Sequence, residues 1–360
     1  MRVKLKDITK FSKGTQINGE NLIDDGAYSY LNGGINPSGK WNEFNVAENT
    51  VTISEGGNSS GYVNYMNKAF WCGAHCYYLY DGPKNSKYLY YALKSQQERL
   101  FRIRSGACMP NIKKSDLGNF IIEYEQDETR QEEVVEVLEK CELLIEDYKK
   151  ELDLLDEAVK ARFVEMFGTL QDNENGFDVV TIADVCSLIK DGTHQTPTYT
   201  EDTDKGFKFL SSKDVMTQKI DWSDIKYIPA DLHEKLYATI HPKRNDILMS
   251  KNGVNYGVAA VNDTDEIFDI YVSLALLRPT EVINPVFFRC VINNLDTKRQ
   301  FDGSIKGIGV PNLHLGEIKK TKIFLPPMEL QNKFVRFVAQ VDKSKFLSNH
   351  SLLLLKSITF

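Results

Sequence analysis

The stretch ETRQEEVVEVLEKCELLIEDYKKELDLLDEAVKARFVEMF, residues 128–167, decides the architecture. Within it Val134, Leu138, Cys141, Ile145, Tyr148, Leu152, Leu155 and Val159 recur at spacings of 4-3-4-3-4-3-4, a coiled-coil seam sustained for more than three heptads. No Pro or Gly interrupts it, and Gly168 follows the last apolar residue, where a left-handed cap is expected. At 1.5 Å per residue, about 38 residues make a rod of roughly 57 Å. An ordinary core helix carries a broader apolar stripe and runs shorter, so the narrow seam argues for pairing with a second helix. Residues 126–167 hold 6 basic and 14 acidic side chains, and the acidic outer face reads as a solvated one.

The chain on either side of this rod repeats itself. Lys13-Gly14-Thr15 is echoed by Asp191-Gly192-Thr193 at an offset of 178, and Ile53-Ser54 with Gly61 by Met249-Ser250 with Gly257 at 196. Gly106, Pro110, Asn111 and Ile112 return as Gly307, Pro311, Asn312 and Leu313 at 201. An offset of 200 places Gln331 on Gln131, Phe334 on Val134, Val338 on Leu138, Val341 on Cys141, Leu352 on Leu152 and Leu355 on Leu155. Lys345 and Ser348 fall where Ile145 and Tyr148 stand. The second helix is therefore expected to pair less tightly, each lost large apolar side chain forfeiting roughly 1.5–3 kcal/mol of burial. The reading is an α+β chain: globular domains at 1–125 and 169–325 alternate with helical segments at 126–168 and 326–360. The two helices are expected to pair as an antiparallel coiled coil that relates the globules by a pseudo-two-fold axis. A rod of roughly 57 Å exceeds the ~34 Å of one DNA turn, so modules mounted on it are spaced to reach separate half-sites.

Composition agrees with two packed domains and excludes several classes. A chain of 360 residues exceeds one typical domain of ~150, and 42% hydrophobic with 26% charged residues is near the globular average. No apolar run approaches the ~18 residues of a membrane span, and MRVKLKDITK lacks a following apolar stretch, so a cytoplasmic protein with no membrane contact is expected. Six scattered cysteines read as reduced thiols. The net charge of −6 argues on its face against phosphate binding, yet residues 126–167 alone contribute −8, which leaves room for basic patches elsewhere.

Catalytic motifs are mostly missing. Gly34 to Lys40 fits the first seven positions of a phosphate-binding loop, but Trp41 replaces the hydroxyl that ligates Mg²⁺ and WNEFNVAENT has no helical period. Cys72, His75 and Cys76 resemble a zinc spacing. Residues 69–80, however, read as one strand with His75 opposite both cysteines and on the face of Trp71 and Tyr77, so no metal is assigned. Leu325-Pro326-Pro327-Met328 lacks the polar and aromatic flanks that bind a flipped base. With no arguable nucleophile or carboxylate pair, the chain reads as non-catalytic, with no cofactor of its own.

Base readout needs Asn, Gln, Thr, His and aromatics beside phosphate-seeking Lys and Arg on loops. The first domain offers Lys13, Thr15, Gln16, Asn32, Lys40, Asn58, Arg102, Arg104 and Lys113. The second offers His194, Gln195, Lys213, Lys251, Asn252, Tyr256, Arg299 and Lys306. A two-domain scaffold binding protein or carbohydrate stays open at this point, because 17 Tyr and 19 Phe serve that equally well. A zinc enzyme on the Cys72, His75 and Cys76 cluster is a third reading.

Three stretches carry a resemblance to a known family. Leu154-Leu155 with Arg162 to Gly168, Phe324-Leu325-Pro326-Pro327-Met328-Glu329-Leu330-Gln331, and His241-Pro242-Lys243 with Asp246 to Ser250 together resemble the specificity subunits of type I restriction-modification systems. The resemblance implies two target-recognition domains that each read half of a bipartite site on double-stranded DNA. It also implies helices that bind two methyltransferase subunits, joined by a separate restriction and translocase subunit. Adenine methylation with S-adenosylmethionine, and cleavage with ATP and Mg²⁺, then belong to those partners.

Overall fold

A computed structural model describes residues 1–106, 108–305 and 311–359. Two compact units emerge: Met1–Glu151 joined by the stretch from Ser348, and Leu152–Leu347.

In the first unit, β2 (Lys10–Lys13), β8 (Cys76–Tyr80), β5 (Thr50–Ser54) and β6 (Val63–Met66) form one sheet in that order. A second sheet is ordered β4 (Gly39–Trp41), β3 (Tyr28–Leu31), β7 (Phe70–Cys72), and β1 (Arg2–Lys4) pairs with β9 (Ile121–Glu123). Side-chain alternation explains why these segments are strands. Tyr77 and Leu79 of β8 join Val51 and Ile53 in the main core, while Cys76 turns to a smaller cluster with Leu31, Phe70 and Cys72. The single strand expected over 69–80 is broken by a turn at residues 73–75. Gly73 there lies so close to Asn32 that a Cβ would sit 2.1 Å from its Oδ1, and Leu31 O accepts the Gly73 N–H at 2.8 Å.

The second unit repeats this strand order. Its sheets are β11 (Cys186–Asp191), β17 (Leu274–Pro279), β14 (Ile247–Ser250), β15 (Ala259–Val261), and β13 (Lys226–Ile228), β12 (Phe207–Leu210), β16 (Phe268–Ile270). The third is β10 (Asp178–Thr181) with β18 (Lys322–Leu325). In both units the third and seventh strands run parallel, Leu31 opposite Cys72 and Leu210 opposite Ile270. Strand β14 is buried on both faces: Ile247 and Met249 enter the core that also holds Phe163, Phe287 and Phe334, and Leu248 enters one with Leu210 and Phe268.

The central helix runs Glu128–Phe167. Asp127 Oδ1 accepts the Thr129 N–H at 2.9 Å, which satisfies one of the orphan donors of the first turn. At the far end Gly168 takes φ +71° and its N–H reaches Val164 O at 2.8 Å, the expected left-handed cap. The C-terminal helix runs Met328–Thr359. Both open on a buried glutamine. Gln131 Nε2 donates to Glu125 O at 2.7 Å and Gln331 Nε2 to Pro326 O at 2.8 Å, so each pins its helix to the segment that links it to the preceding strand.

Within the second unit the two helices run antiparallel. Phe334 meets Phe163 and Phe167 edge-on with centroids 5.5 and 5.6 Å apart, and Lys345 pairs with Asp156. The polar seam place is filled by the aliphatic stem of Lys345 while its ammonium reaches that carboxylate. Leu138, Cys141, Tyr148, Leu152, Leu155 and Val159 are half-buried and Ile145 is buried; on the C-terminal helix Phe334, Val338, Val341 and Leu352 are buried and Leu355 is half-buried. Val134 departs from the expected seam. It is 42% exposed, and the neighbouring Val135 is the more buried of the two. The acidic face is not wholly solvated either: Lys87 lies 3.7 and 3.6 Å from Glu139 and Glu142, 4.7 Å from the Tyr65 ring centroid.

Candidate nucleic-acid interface

Loops converge at one end of the first sheet pair. The turn after β2 is forced close to β7: a Cβ on Gly14 would sit 1.8 Å from Cys72 O, so only glycine lets the chain pass. Cys72 O accepts the Thr15 N–H at 2.9 Å, and the Trp71 indole donates to Thr15 O at 2.7 Å. The β3–β4 loop is stapled to the β5–β6 and β7–β8 loops, because Ser59 Oγ donates to Gly33 O at 2.6 Å and Asn32 Oδ1 accepts the His75 N–H at 3.2 Å. Gly57 N–H reaches Pro110 O at 2.9 Å and brings in the segment after Arg104. Thr15, Gln16 and Asn58 are exposed on these loops, and Lys40, Arg102 and Lys113 are exposed on the same unit.

Several candidates serve the framework instead. Arg104 donates to Phe101 O at 2.7 Å and Asn58 O at 3.3 Å while stacked over the Phe101 ring. Asn32 is committed to the His75 amide. Lys13 pairs with Glu55 at 2.7 Å. His75 turns its Nδ1 to Glu55 at 3.3 Å, while Cys72 and Cys76 are buried with their sulfurs near backbone carbonyls. Their mutual hydrogen bond, with burial, pushes the Cys72 thiol far above its ordinary range. Lys40 lies on β4 opposite Ser29, so a strand and not a helix follows the glycine-rich loop.

The second unit builds the same end. A Cβ on Gly192 would lie 2.1 Å from Ile270 O, which accepts the Thr193 N–H at 3.1 Å. His194, Gln195 and Arg299 are exposed. Lys251 and Tyr256, expected on the surface, are buried. Lys251 Nζ reaches Asp191 at 2.8 Å, and the Tyr256 hydroxyl donates to Asp302 at 2.5 Å beneath the Lys298 ammonium, 3.8 Å from the ring centroid. Burial works to raise the Asp191 carboxyl, but the Lys251 ammonium and then His194 prevail and hold it below its usual value. Lys213 is tied to Asp224 Oδ2 at 2.6 Å, and that bond raises its pKa. Asn252 bridges to Asn312, and its buried Oδ1 finds no partner among the described residues. Lys306 lies outside the described residues.

Sequence reasoning missed Glu55, Asp191 and Asp302, which hold the candidate lysines and tyrosine. It also left Asp246 without a role. This carboxylate is buried and takes the Arg278 guanidinium through both oxygens at 2.8 Å, so within the His241 to Ser250 stretch Asp246 serves a structural ion pair. Among the described residues no helix is long and apolar enough to cross a membrane.

Comparisons with known proteins agree with this description. The family model for the type I restriction modification DNA specificity domain matches residues 1–155 and again 174–355. A putative type I specificity subunit of Mycoplasma genitalium is 26% identical over 352 residues, which cover 92% of this chain and 84% of that one. A putative subunit of Mycoplasma pneumoniae is 38% identical over 145 residues, 39% of this chain and 38% of the relative's length. The crystal structure of the type I system S subunit from M. genitalium matches over 100% of this chain and 93% of its own, with TM-score 0.61 and 21% identity. A structure described for complex assembly and conformational transition of the type I system matches over 100% and 95%, with TM-score 0.54 and 15% identity.

Proposed function

From the premise that this chain belongs to the family of type I restriction-modification DNA specificity domains, we propose that each of its globular domains reads one half of a bipartite DNA site. The observation that carries the reading is the duplication of a nine-strand domain in one strand order, each copy ending in a long helix. A repeated reader on paired helices suits a target of two short words separated by a fixed gap. Exposed side chains supply the chemistry: Arg102 and Lys113 for phosphates, and Gln16, Asn58, His194 and Gln195 for base edges.

Partners do the chemistry in this proposal. Two methyltransferase subunits carrying S-adenosylmethionine modify adenine in each half-site, and a restriction and translocase subunit uses ATP and Mg²⁺. Exposed apolar side chains on the helices support such docking: Val137, Leu143 and Leu353 in one unit, Leu154, Val164 and Phe346 in the other. The chain acts in the cytoplasm as the reading component.

Long-read mapping of methylated adenines in cells with and without this chain tests the proposal. A bipartite motif that vanishes with the chain is the expected result. Exchanging residues 1–125 for those of another specificity subunit should then rewrite one half of the motif only; loss of both halves contradicts independent reading. A seven-residue insertion in the central helix adds about 10.5 Å to the rod. It should change the gap or abolish recognition, and an unchanged gap refutes spacing by the helices.

A further inference from the structure

Because the two domains share one strand order, the strand ends of one have counterparts in the other, and one ion pair set between such counterparts carries reversed charge. Lys13 and Asp191 each end the second strand of their unit, directly before the glycine that packs on the parallel strand. Glu55 and Lys251 each follow the serine that ends the fifth strand. The register confirms the correspondence. Lys13 lies opposite Tyr77 and Ser54 opposite Cys76, as Asp191 lies opposite Ala275 and Ser250 opposite Leu274.

The bond survives the reversal. Lys13 Nζ meets Glu55 Oε1 at 2.7 Å, and Lys251 Nζ meets Asp191 Oδ2 at 2.8 Å. Each pair reaches across the strand that separates its two partners, β8 or β17. It therefore joins two loops that share no ladder: the turn after β2 or β11, and the loop from serine to glycine at 54–61 or 250–257. In each unit the carboxylate also faces an imidazole, His75 at 3.3 Å and His194 at 3.2 Å, contributed from different places in the two sequences.

A phosphate contact cannot tolerate such an exchange, because a carboxylate in the place of Lys13 repels the backbone of DNA. The exposures agree: the Lys251 side chain is only 6% exposed, against 21% for Asp191, so in the second unit the cation points inward. What both domains keep is the link, not the sign of either end. We propose that Lys13–Glu55 and Asp191–Lys251 are one latch of interchangeable polarity that fixes the gap between the two loops with which each domain addresses DNA. The four side chains are then positioning residues, and the loops they hold carry Thr15, Gln16 and Asn58, or His194, Gln195 and Asn252. This rests on the reading that those loops meet DNA.

The test uses the full chain with Lys13→Glu, Glu55→Lys and the double reversal, which gives the first domain the polarity of the second. Amide hydrogen exchange of residues 14–16 and 55–61 reads the latch without DNA. Each single reversal sets like charges together and should speed exchange there by roughly tenfold, whereas the double variant should return to within about twofold of the parent. In the assembled methyltransferase complex the single variants should blur one half of the methylated motif and leave the other intact, and the double variant should restore it. The salt slope of duplex binding should be unchanged in the double variant, since a lost phosphate contact lowers it by about 0.9. A double variant as defective as the singles, or a slope reduced by about that amount, overturns the latch. Where a single reversal fails to fold, Lys13→Met and Glu55→Gln loosen the link without repulsion and should speed exchange in the same segments. If the parent marks no bipartite site, the DNA reading fails, and the exchange data still decide whether the latch exists.

Discussion

Truncating Phe334 to alanine tests the joint at which both helices meet the second domain. Its ring is fully buried and meets Phe163, Phe167 and Phe287 edge-on, with centroids 5.5, 5.6 and 6.2 Å away. Phe163 and Phe167 come from the central helix, whereas Phe287 comes from the short helix Pro285–Ile292. A fully buried Phe→Ala change costs about 3–5 kcal/mol, and a site walled by three other rings, which cannot collapse without separating, belongs near 4 kcal/mol. Trp222, in the second unit, packs on Phe268 at 5.7 Å and reports unfolding there once Trp41 and Trp71 are replaced by Phe. With a urea m-value of about 2 kcal/mol/M the midpoint should fall by about 2 M at unchanged m. Val164→Ala is the internal control. It sits between Phe163 and Phe167 in sequence but is exposed, and should cost no more than about 0.5 kcal/mol. A Phe334→Ala shift under about 0.5 M, or a Val164→Ala shift as large, refutes the argument that these rings lock the helices to the sheets.

Three further outcomes follow from the site geometry. Gly14→Ala and Gly192→Ala each drive a methyl into a carbonyl 1.8 or 2.1 Å away, and each should cost more than about 2 kcal/mol in its own unit by thermal unfolding; a neutral effect removes the close approach. Asp191 is held below its ordinary pKa, so its contribution is full above the unfolded value of about 3.9 and fades as pH falls through the lower folded one. Urea midpoints of the second unit at pH 5, 4 and 3 should therefore drop less steeply in Asp191→Asn, and parallel curves count against the Lys251 pairing. The bond to Cys76 and then burial raise the Cys72 thiol, and burial raises Cys290, so iodoacetamide at pH 8 should label exposed Cys108 first. Mass spectrometry showing Cys72 alkylated as fast as Cys108 contradicts the described packing.

Local spacing made the long helices and the repeat legible. Heptads, the cap at Gly168 and the paired glycine motifs depend on neighbours a few residues apart, and such patterns survive in a sequence without its fold. Position by position, the same rule also misled. Val134 and Phe334 are counterparts at an offset of 200, yet one is 42% exposed and the other fully buried, because a helix face is hidden only where something packs against it. Glu139 and Glu142 look solvated in the sequence, and Lys87 is set against them by the fold alone. Lys13, Lys251 and Tyr256 read as surface ligands until Glu55, Asp191 and Asp302 are found beside them. Those partners lie 42, 60 and 46 residues away along the chain. An electrostatic pair is decided by distance in space, and only the sheets, by placing β2 and β5 on either side of β8, bring such charges within reach.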